Sequence, residues 1–397
     1  MRALLLAYKK HYINPTNELI TEGLMKYPGV TAWGPGYSSV EYDSVVKFNR
    51  QKGPFDIVIV NSVLWYGDRN GIWSNLSQVK KPYNGRQFIE AFPDWPKGIY
   101  DLDVPIIVLN LLDDLHGSEQ DFFEKIRRGD TYVLSTAANH QIVRKAGSVP
   151  FEKEHFLTGA EYVFHHPEVI DRKRYLLCPH CVADSEFLNE GRYKYDVAIP
   201  GTRYLFRREA IEYLSSGRDK RTYRIKHLRN DLLLAIGSVL YSKRVKGLHL
   251  PVPSDGIGEM IYKGRFRHVV SHSLVTITCS SLAGYPIRKF FEIPAFGSVL
   301  VANFFDHPDI LGFRDGINCF SVDYDSLEKI PTIIDALKRD RAYLEGIRKS
   351  GYKLIRNYHT VNIRLNQIMD VARAILSGGF RGTKWVDGKQ VILTSSE

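Results

Sequence analysis

Short runs in which nearly every residue is apolar alternate along the chain with longer stretches whose apolar residues recur at helical spacing. The first run is Ala3-Leu-Leu-Leu-Ala7, and Asn14-Pro-Thr-Asn17 supplies capping side chains for a helix reaching about Lys26. A short strand at 31–33 closes on Gly34-Pro35-Gly36, and a buried strand at 56–61 follows the Gly53-Pro54 turn. The rhythm continues with a strand at 104–110, a helix at 120–128, and strands at 131–135 and 162–166. Strands apolar on both faces belong to parallel sheets covered by helices on either side. In such sheets, ligands sit at the carboxyl ends of the strands.

The pattern restarts after a linking stretch through Pro179 to about Tyr193. A strand beginning at Tyr195 runs into Gly201-Thr202, then come helices at 205–214 and 228–241, a strand at 247–252, a helix at 259–272 and a strand at 274–279. Phe290, Phe291, Ile293 and Pro294 form an apolar cluster interrupted by Glu292; Gly297 stops it, and 298–303 reads as a covered strand. Helices at 326–338, 341–355 and 360–377 follow, and Asp387-Gly388 turns a closing hairpin between alternating residues. The expectation is an α/β chain of two doubly wound parallel-sheet domains, 1–190 and 191–380, with a hairpin tail at 381–397. Its 397 residues suffice for two separate cores.

Candidate chemistry sits where the pattern breaks. Asp113, Asp114 and His116 stand just past the carboxyl end of the 104–110 strand, where a general base or an acceptor-orienting group belongs; capping a following helix is the other reading. Gly201 and Thr202 precede a helix whose amino end suits a phosphate. Glu292 is a carboxylate on an apolar face, costly without a partner or a ligand. Arg288, one helical turn earlier, is the simplest partner. Between 61 and 103 the periodicity disappears into a stretch carrying Trp65, Trp73, Trp95 and several tyrosines. It reads either as a binding flap, since aromatic faces stack on the rings of ligands, or as a small subdomain packed on itself. Cys178 and Cys181 have the spacing of metal ligands, but no second such pair accompanies them, so a strand end between domains is the plainer reading.

The order Arg288-x-x-x-Glu292-x-x-x-x-Gly297, an apolar strand, His307-Pro-Asp309 and Asp315-Gly316 resembles the carboxyl-terminal domain of nucleotide-sugar glycosyltransferases of the two-domain GT-B type, and within them the spore-maturation CgeB-like branch. Phe320 to Asp325, then Tyr358-His359-Thr360 and Arg364, continue the likeness, which spans about 196–369. It implies transfer of a glycosyl group from a nucleotide sugar to an acceptor hydroxyl, with Glu292 holding the ribose hydroxyls. Larger relatives carry a further Glu eight residues earlier, where this chain has Gly284. GT-B enzymes offset the leaving diphosphate with side chains and helix amino ends, so no metal and no cofactor beyond the nucleotide-sugar co-substrate is expected. Lys263, Arg265 and Arg288 are the phosphate candidates, and Asp315 either lines the donor site or orders its loop. The nearest large families retain configuration at the sugar carbon. An epimerase on the same fold and a non-catalytic sugar- or nucleotide-binding protein of an assembly are the alternatives.

Charge widens the set of partners. Lys and Arg number 54 against 44 Asp and Glu, a formal net charge of +10, with a concentration between Arg203 and Arg229. Such a balance favours anionic partners: nucleotide phosphates, an acidic membrane face, or nucleic acid as an acceptor. A solvated helix face is the commoner origin of a basic run, and no RNA-binding or helix-turn-helix signature accompanies it. The acceptor expected from the resemblance is a glycan, glycolipid or protein. The 3–7 run is too short for a membrane span or a signal core, so a cytoplasmic protein, peripheral to a membrane at most, is expected.

Overall fold

A computed structural model of the chain describes residues 1–7, 16–34, 44–61, 97–111, 130–136, 174–188, 191, 193–201, 206–216, 223–228, 254–281 and 285–395. They form two compact units, Met1–His180 with Val361–Glu397, and Cys181–Thr360. In the first unit β1 (Ala3–Leu6), β2 (Val30–Trp33), β3 (Ile57–Asn61), β4 (Ile106–Asn110), β5 (Thr131–Ser135) and β6 (Tyr175–Leu177) make one parallel sheet in the order β2-β1-β3-β4-β5-β6. Every residue of β1 and β4 is buried, as a strand covered on both faces requires. Helix α1 (Thr16–Met25) turns Ile20 and Leu24 inward, and α2 (Val45–Lys52) is capped by Ser44, whose Oγ accepts from the Lys47 amide at 3.3 Å. Phe48 of α2 stacks on Trp33 at a centroid distance of 4.8 Å, joining helix to sheet.

The second unit contains, in order, β7 (Tyr195–Pro200), α3 (Phe206–Ser215), β8 (Ile225–Leu228), α4 (Ser254–Ser271), β9 (Ser273–Cys279), α5 (Lys289–Ala295), β10 (Val299–Asn303), β11 (Phe320–Ser321), α6 (Lys329–Arg339) and α7 (Arg341–Tyr358). Its strands are parallel in the order β11-β10-β9-β7-β8. One face packs Val275, Ile277, Val299 and Val301 against Phe206, Ala210, Ile330 and Ile334 in a single buried cluster. The chain then returns to the first unit through α8 (Val361–Leu376), β12 (Phe380–Val386) and β13 (Lys389–Thr394), the last two an antiparallel hairpin turned at Asp387-Gly388. Trp385 anchors that hairpin: its Nε1 donates to the Leu177 carbonyl at 3.2 Å, and its ring lies 5.0 Å under the Arg364 guanidinium.

The units part at 180/181 and 360/361, where the sequence expectation had 190/191 and 380/381. Residues 181–188 side with the second unit because the Val182 amide donates to His359 O at 3.0 Å and Glu186 pairs with Arg288. Three strands were not foreseen, one of them the two-residue β11, which pairs with β10. β6 is only three residues long, too short to show a period, and pairing with β5 is what orders it. β8 lies inside the basic run, beginning Ile225-Lys-His, and takes its place by pairing with β7. Helix α4 begins at Ser254 rather than 259 and carries Gly256 and Gly258 within it. The strand expected at 162–166, and the regions 120–128, 229–241 and 247–252, lie outside the described residues.

Candidate functional site: the carboxyl edge of the second sheet

Strand order reverses direction at β7 and β9: the chain moves from β7 to β8 on one side and from β9 to β10 and β11 on the other. Crossovers that leave on opposite sides open a crevice at the carboxyl ends of the two central strands, where doubly wound sheets bind ligands. At that point β7 ends in Pro200 and runs into Gly201, whose φ is +99°, a conformation open to glycine and strained for other residues. The missing side chain matters for a second reason. A Cβ on Gly201 would stand 2.5 Å from Nη1 of Arg207 and 3.4 Å from Nζ of Lys289. Two cations from different elements therefore converge on one bare backbone turn.

Arg207 is held there by its surroundings. It sits in the first turn of α3, is buried, and turns back so that Nη1 donates to Pro200 O at 3.1 Å. Its guanidinium also reaches the thiol of Cys279 at the end of β9. Burial pushes the Cys279 thiol above its ordinary pKa, and the positive charges of Arg207 and Lys289 offset this only in part. Lys289 is the first residue of α5, which leaves the same edge after β9. A packed aromatic group fixes α5: Phe290 meets Phe304, Phe305 and Phe313 edge-on, and Phe291 meets Phe313 and His359 edge-on. His359, fully buried, uses Nε2 to donate to Leu311 O at 2.9 Å.

Glu292 shares α5 with Lys289, three residues apart and hence on one face. One of its oxygens lies 3.3 Å from Nη1 of Arg288, the turn-earlier partner considered above. Arg288 itself faces inward, with Nη2 2.6 Å from Glu186 and Nε donating to Cys181 O at 3.3 Å. Burial works against its charge, but Glu292, Glu186 and Cys181 outweigh burial and raise its pKa above the ordinary value. Arg288 thus clamps α5 to the 181–186 segment. The turn after α5 is Gly297, at φ +80°, which places β10 directly behind it.

The other residues singled out from the sequence are scattered. Lys263 and Arg265 lie in the second half of α4, about 14 Å and 17 Å from its Ser254 end at ~1.5 Å per residue. Because α4 delivers the chain to the amino end of β9, Arg265 stands toward the edge opposite Gly201 and Lys263 at mid-helix. Asp315 is exposed, and its Oδ1 accepts from the Ser321 amide at 2.8 Å across a short loop. His307 opens a turn at φ +54°. Asp113, Asp114, His116, Thr202, Gly284 and most of 61–103 lie outside the described residues. Asp101-Leu-Asp103 and Asp323-Tyr-Asp325 have the Asp-x-Asp spelling of a metal site, yet among the described residues no three His, Cys, Asp or Glu side chains are grouped to hold an ion. Cys178 and Cys181 are buried thiols outside any disulfide. Sequence reasoning missed Lys289 and took Arg207 for part of a solvated basic run; its position six residues after Gly201 was the only available signal.

Comparison with known proteins adds the following. Residues 229–370 match the family model described as glycosyl transferase-like. Among solved structures, Anabaena HepE in complex with UDP is similar with a TM-score of 0.50 at 11% identity, over 94% of this chain and 100% of that one. Sucrose-phosphate synthase from Thermosynechococcus elongatus gives 0.49 at 10% identity, over 95% and 100%. A glycosyltransferase from Rickettsia africae gives 0.49 at 10%, over 94% and 98%. No curated protein matches the sequence. The Anabaena likeness and the two parallel sheets agree on the fold: α/β, with two doubly wound Rossmann-like sheets, of the GT-B class. Among the described residues no helix is long and apolar enough to cross a membrane.

Proposed function

We propose that the protein is a glycosyltransferase that moves a sugar from a nucleotide-sugar donor to an acceptor hydroxyl, without a metal ion and with retention of configuration. The observation that carries this reading is the convergence of Arg207 and Lys289 on Gly201 at the reversal of strand order, with Glu292 one turn along α5. A diphosphate needs cations that are already in place, because groups fixed before reaction cost no reorganisation as charge develops on the leaving group. Arg207 meets that requirement through Pro200 O, and Lys289 through the aromatic packing of α5. Glu292 would accept from the ribose hydroxyls with the oxygen that Arg288 leaves over. The match at 229–370, which includes Lys289 and Glu292 but not Gly201 or Arg207, supports a glycosyl transferase-like reading, and the CgeB-like order of motifs refines it.

The first unit supplies the acceptor side in this proposal, with Asp113, Asp114 and His116 orienting the hydroxyl of a glycan, glycolipid or protein. In a retaining reaction the donor phosphate takes the acceptor's proton, so these side chains position it rather than ionise it. UDP, bound by the similarly folded Anabaena protein, is the first nucleotide to try. Isothermal titration with UDP and with pyrophosphate should show both binding to the wild type. Arg207→Gln and Lys289→Gln should each weaken both ligands roughly ten- to a hundredfold, the loss of one charged hydrogen bond. Turnover of a nucleotide-sugar panel, with and without acceptors, separates transfer from epimerisation. Unchanged pyrophosphate affinity in both variants would remove the basis of the proposal.

A further inference from the structure

The opposite edge of the same sheet carries a cationic surface that donor binding does not use. At the amino end of β7 stand Lys194 and Tyr195; beside them lie Arg224 and Lys226 at the start of β8, Lys338 and Arg339 at the end of α6, and Arg341 at the start of α7. Close contacts tie them into one patch. Nζ of Lys194 and Nζ of Lys226 each lie 5.8 Å from the Tyr195 ring, and Arg341 lies 5.7 Å from the Tyr193 ring. Arg224 and Lys338 meet on Asp196, at 3.1 Å and 3.3 Å.

Among the described residues, the carboxylates of this edge are turned inward or engaged. Asp196 is buried under Arg224 and Lys338, and Asp335 accepts from the Tyr223 hydroxyl. Asp340 caps α7 by accepting from the Tyr343 amide, and Glu345 pairs with Arg348 and Arg341. Lys194, Arg224, Lys338, Arg339 and Arg341 remain exposed, on long stems that let their charged ends reach outward.

We propose that this amino edge docks the protein on an acidic phospholipid surface. Three features select that partner. The cations project from element ends along one edge, so they can meet many headgroup phosphates together. The tyrosine faces, which a single-stranded nucleic acid would need for base stacking, are already approached by Lys194, Lys226 and Arg341. The edge also lies across the sheet from Gly201, so docking leaves the donor end of the strands uncovered.

The test is cosedimentation of the full chain with phosphatidylcholine vesicles and with vesicles containing phosphatidylglycerol. Lys194→Gln, Lys226→Gln and Arg339→Gln are combined in one variant, which spares Arg224 and Lys338 and so leaves Asp196 paired. A control variant neutralises three exposed cations elsewhere, Lys349, Lys353 and Arg381. Each basic residue at an acidic leaflet strengthens partition about fivefold, so the patch variant should bind roughly a hundredfold more weakly while the control keeps most of its affinity. UDP affinity should be equal in all three proteins, which separates this inference from the donor reading. Equal losses in patch and control variants would reduce the effect to net charge and overturn the proposal. So would no preference of the wild type for acidic vesicles, or tighter, patch-dependent binding of duplex nucleic acid at the same salt.

Discussion

Replacing Glu292 separates two roles that the geometry gives to one carboxylate. It is the i+4 partner of Arg288, with side chains only 5% and 13% exposed, and it is the candidate acceptor for ribose hydroxyls. Removing one member of a buried ion pair costs about 3–5 kcal/mol when the remaining charge is stranded. Arg288 is not stranded here, because Glu186 at 2.6 Å and the Cys181 carbonyl at 3.3 Å stay in place. The loss therefore falls below that range, to about 2 kcal/mol, for a 3.3 Å ion pair that Nη1 of Arg288 makes without a hydrogen bond. For a unit of this size, about 2 kcal/mol lowers Tm by roughly 4–8 °C. Glu292→Gln keeps an oxygen toward Arg288 and should lose less than Glu292→Ala. Differential scanning calorimetry reads this effect. Isothermal titration with UDP, well below the transition, reads the other, an expected rise in Kd of roughly ten- to a hundredfold for the alanine variant. A lowered Tm with an unchanged Kd would assign Glu292 to Arg288 alone and refute the ribose role; no change in either would refute the whole argument.

Two further outcomes follow from single side chains. Gly201→Ala places a methyl 2.5 Å from Nη1 of Arg207 at a positive φ, so melting should show a loss of about 1–2 kcal/mol and titration at least a tenfold weaker UDP affinity; an unaltered affinity would mean that Arg207 is not a ligand group. Asp196 is pushed toward a higher pKa by burial, but Arg224 and Lys338 outweigh this and hold it below the ordinary carboxylate value. Its stabilisation is thus present above the unfolded pKa of about 3.9 and is lost as pH falls through the lower folded value. The stability gap between wild type and Asp196→Asn should be widest near neutrality and close below about pH 4; a gap independent of pH would contradict it.

The parallel sheets were legible because their strands are buried on both faces. Runs such as Ala3–Leu6, Ile57–Asn61 and Val299–Asn303 admit no other economical reading once Gly and Pro bound them. Strands β6 and β8 were not legible, for opposite reasons. β6 is too short for periodicity, and β8 has lysine and histidine between Ile225 and Leu228, which hides its alternation in a basic stretch. The unit boundaries depended on contacts no local pattern encodes, such as Val182 to His359 and Trp385 to Leu177. At the site, Glu292 was visible as a lone carboxylate among phenylalanines. What the sequence left open, the structure fills in part: Arg288 does pair with it, and that pairing points Arg288 away from solvent.

The fate of the basic run shows why charge counts alone do not find a site. Read linearly, Arg203 to Arg229 is one concentration of positive charge. A β-α-β crossover, however, carries the chain from one edge of a sheet to the other and back, so neighbours in the run end on opposite edges. Arg207, in the first turn of α3, stays at the carboxyl edge beside Gly201 and becomes buried. Arg224 and Lys226, just before and within β8, lie at the amino edge beside Asp196 and Tyr195 and reach solvent or an aromatic face. Distance from the strand end, not density of charge, decides which cation can meet a diphosphate. The same rule sets aside Arg265, late in α4 and toward the amino edge, and Lys263 at the middle of that helix. Among the described residues of the run, the cation that turns back to a strand's carboxyl end is therefore the one to test first, and that is Arg207, whose Nη1 donates to Pro200 O.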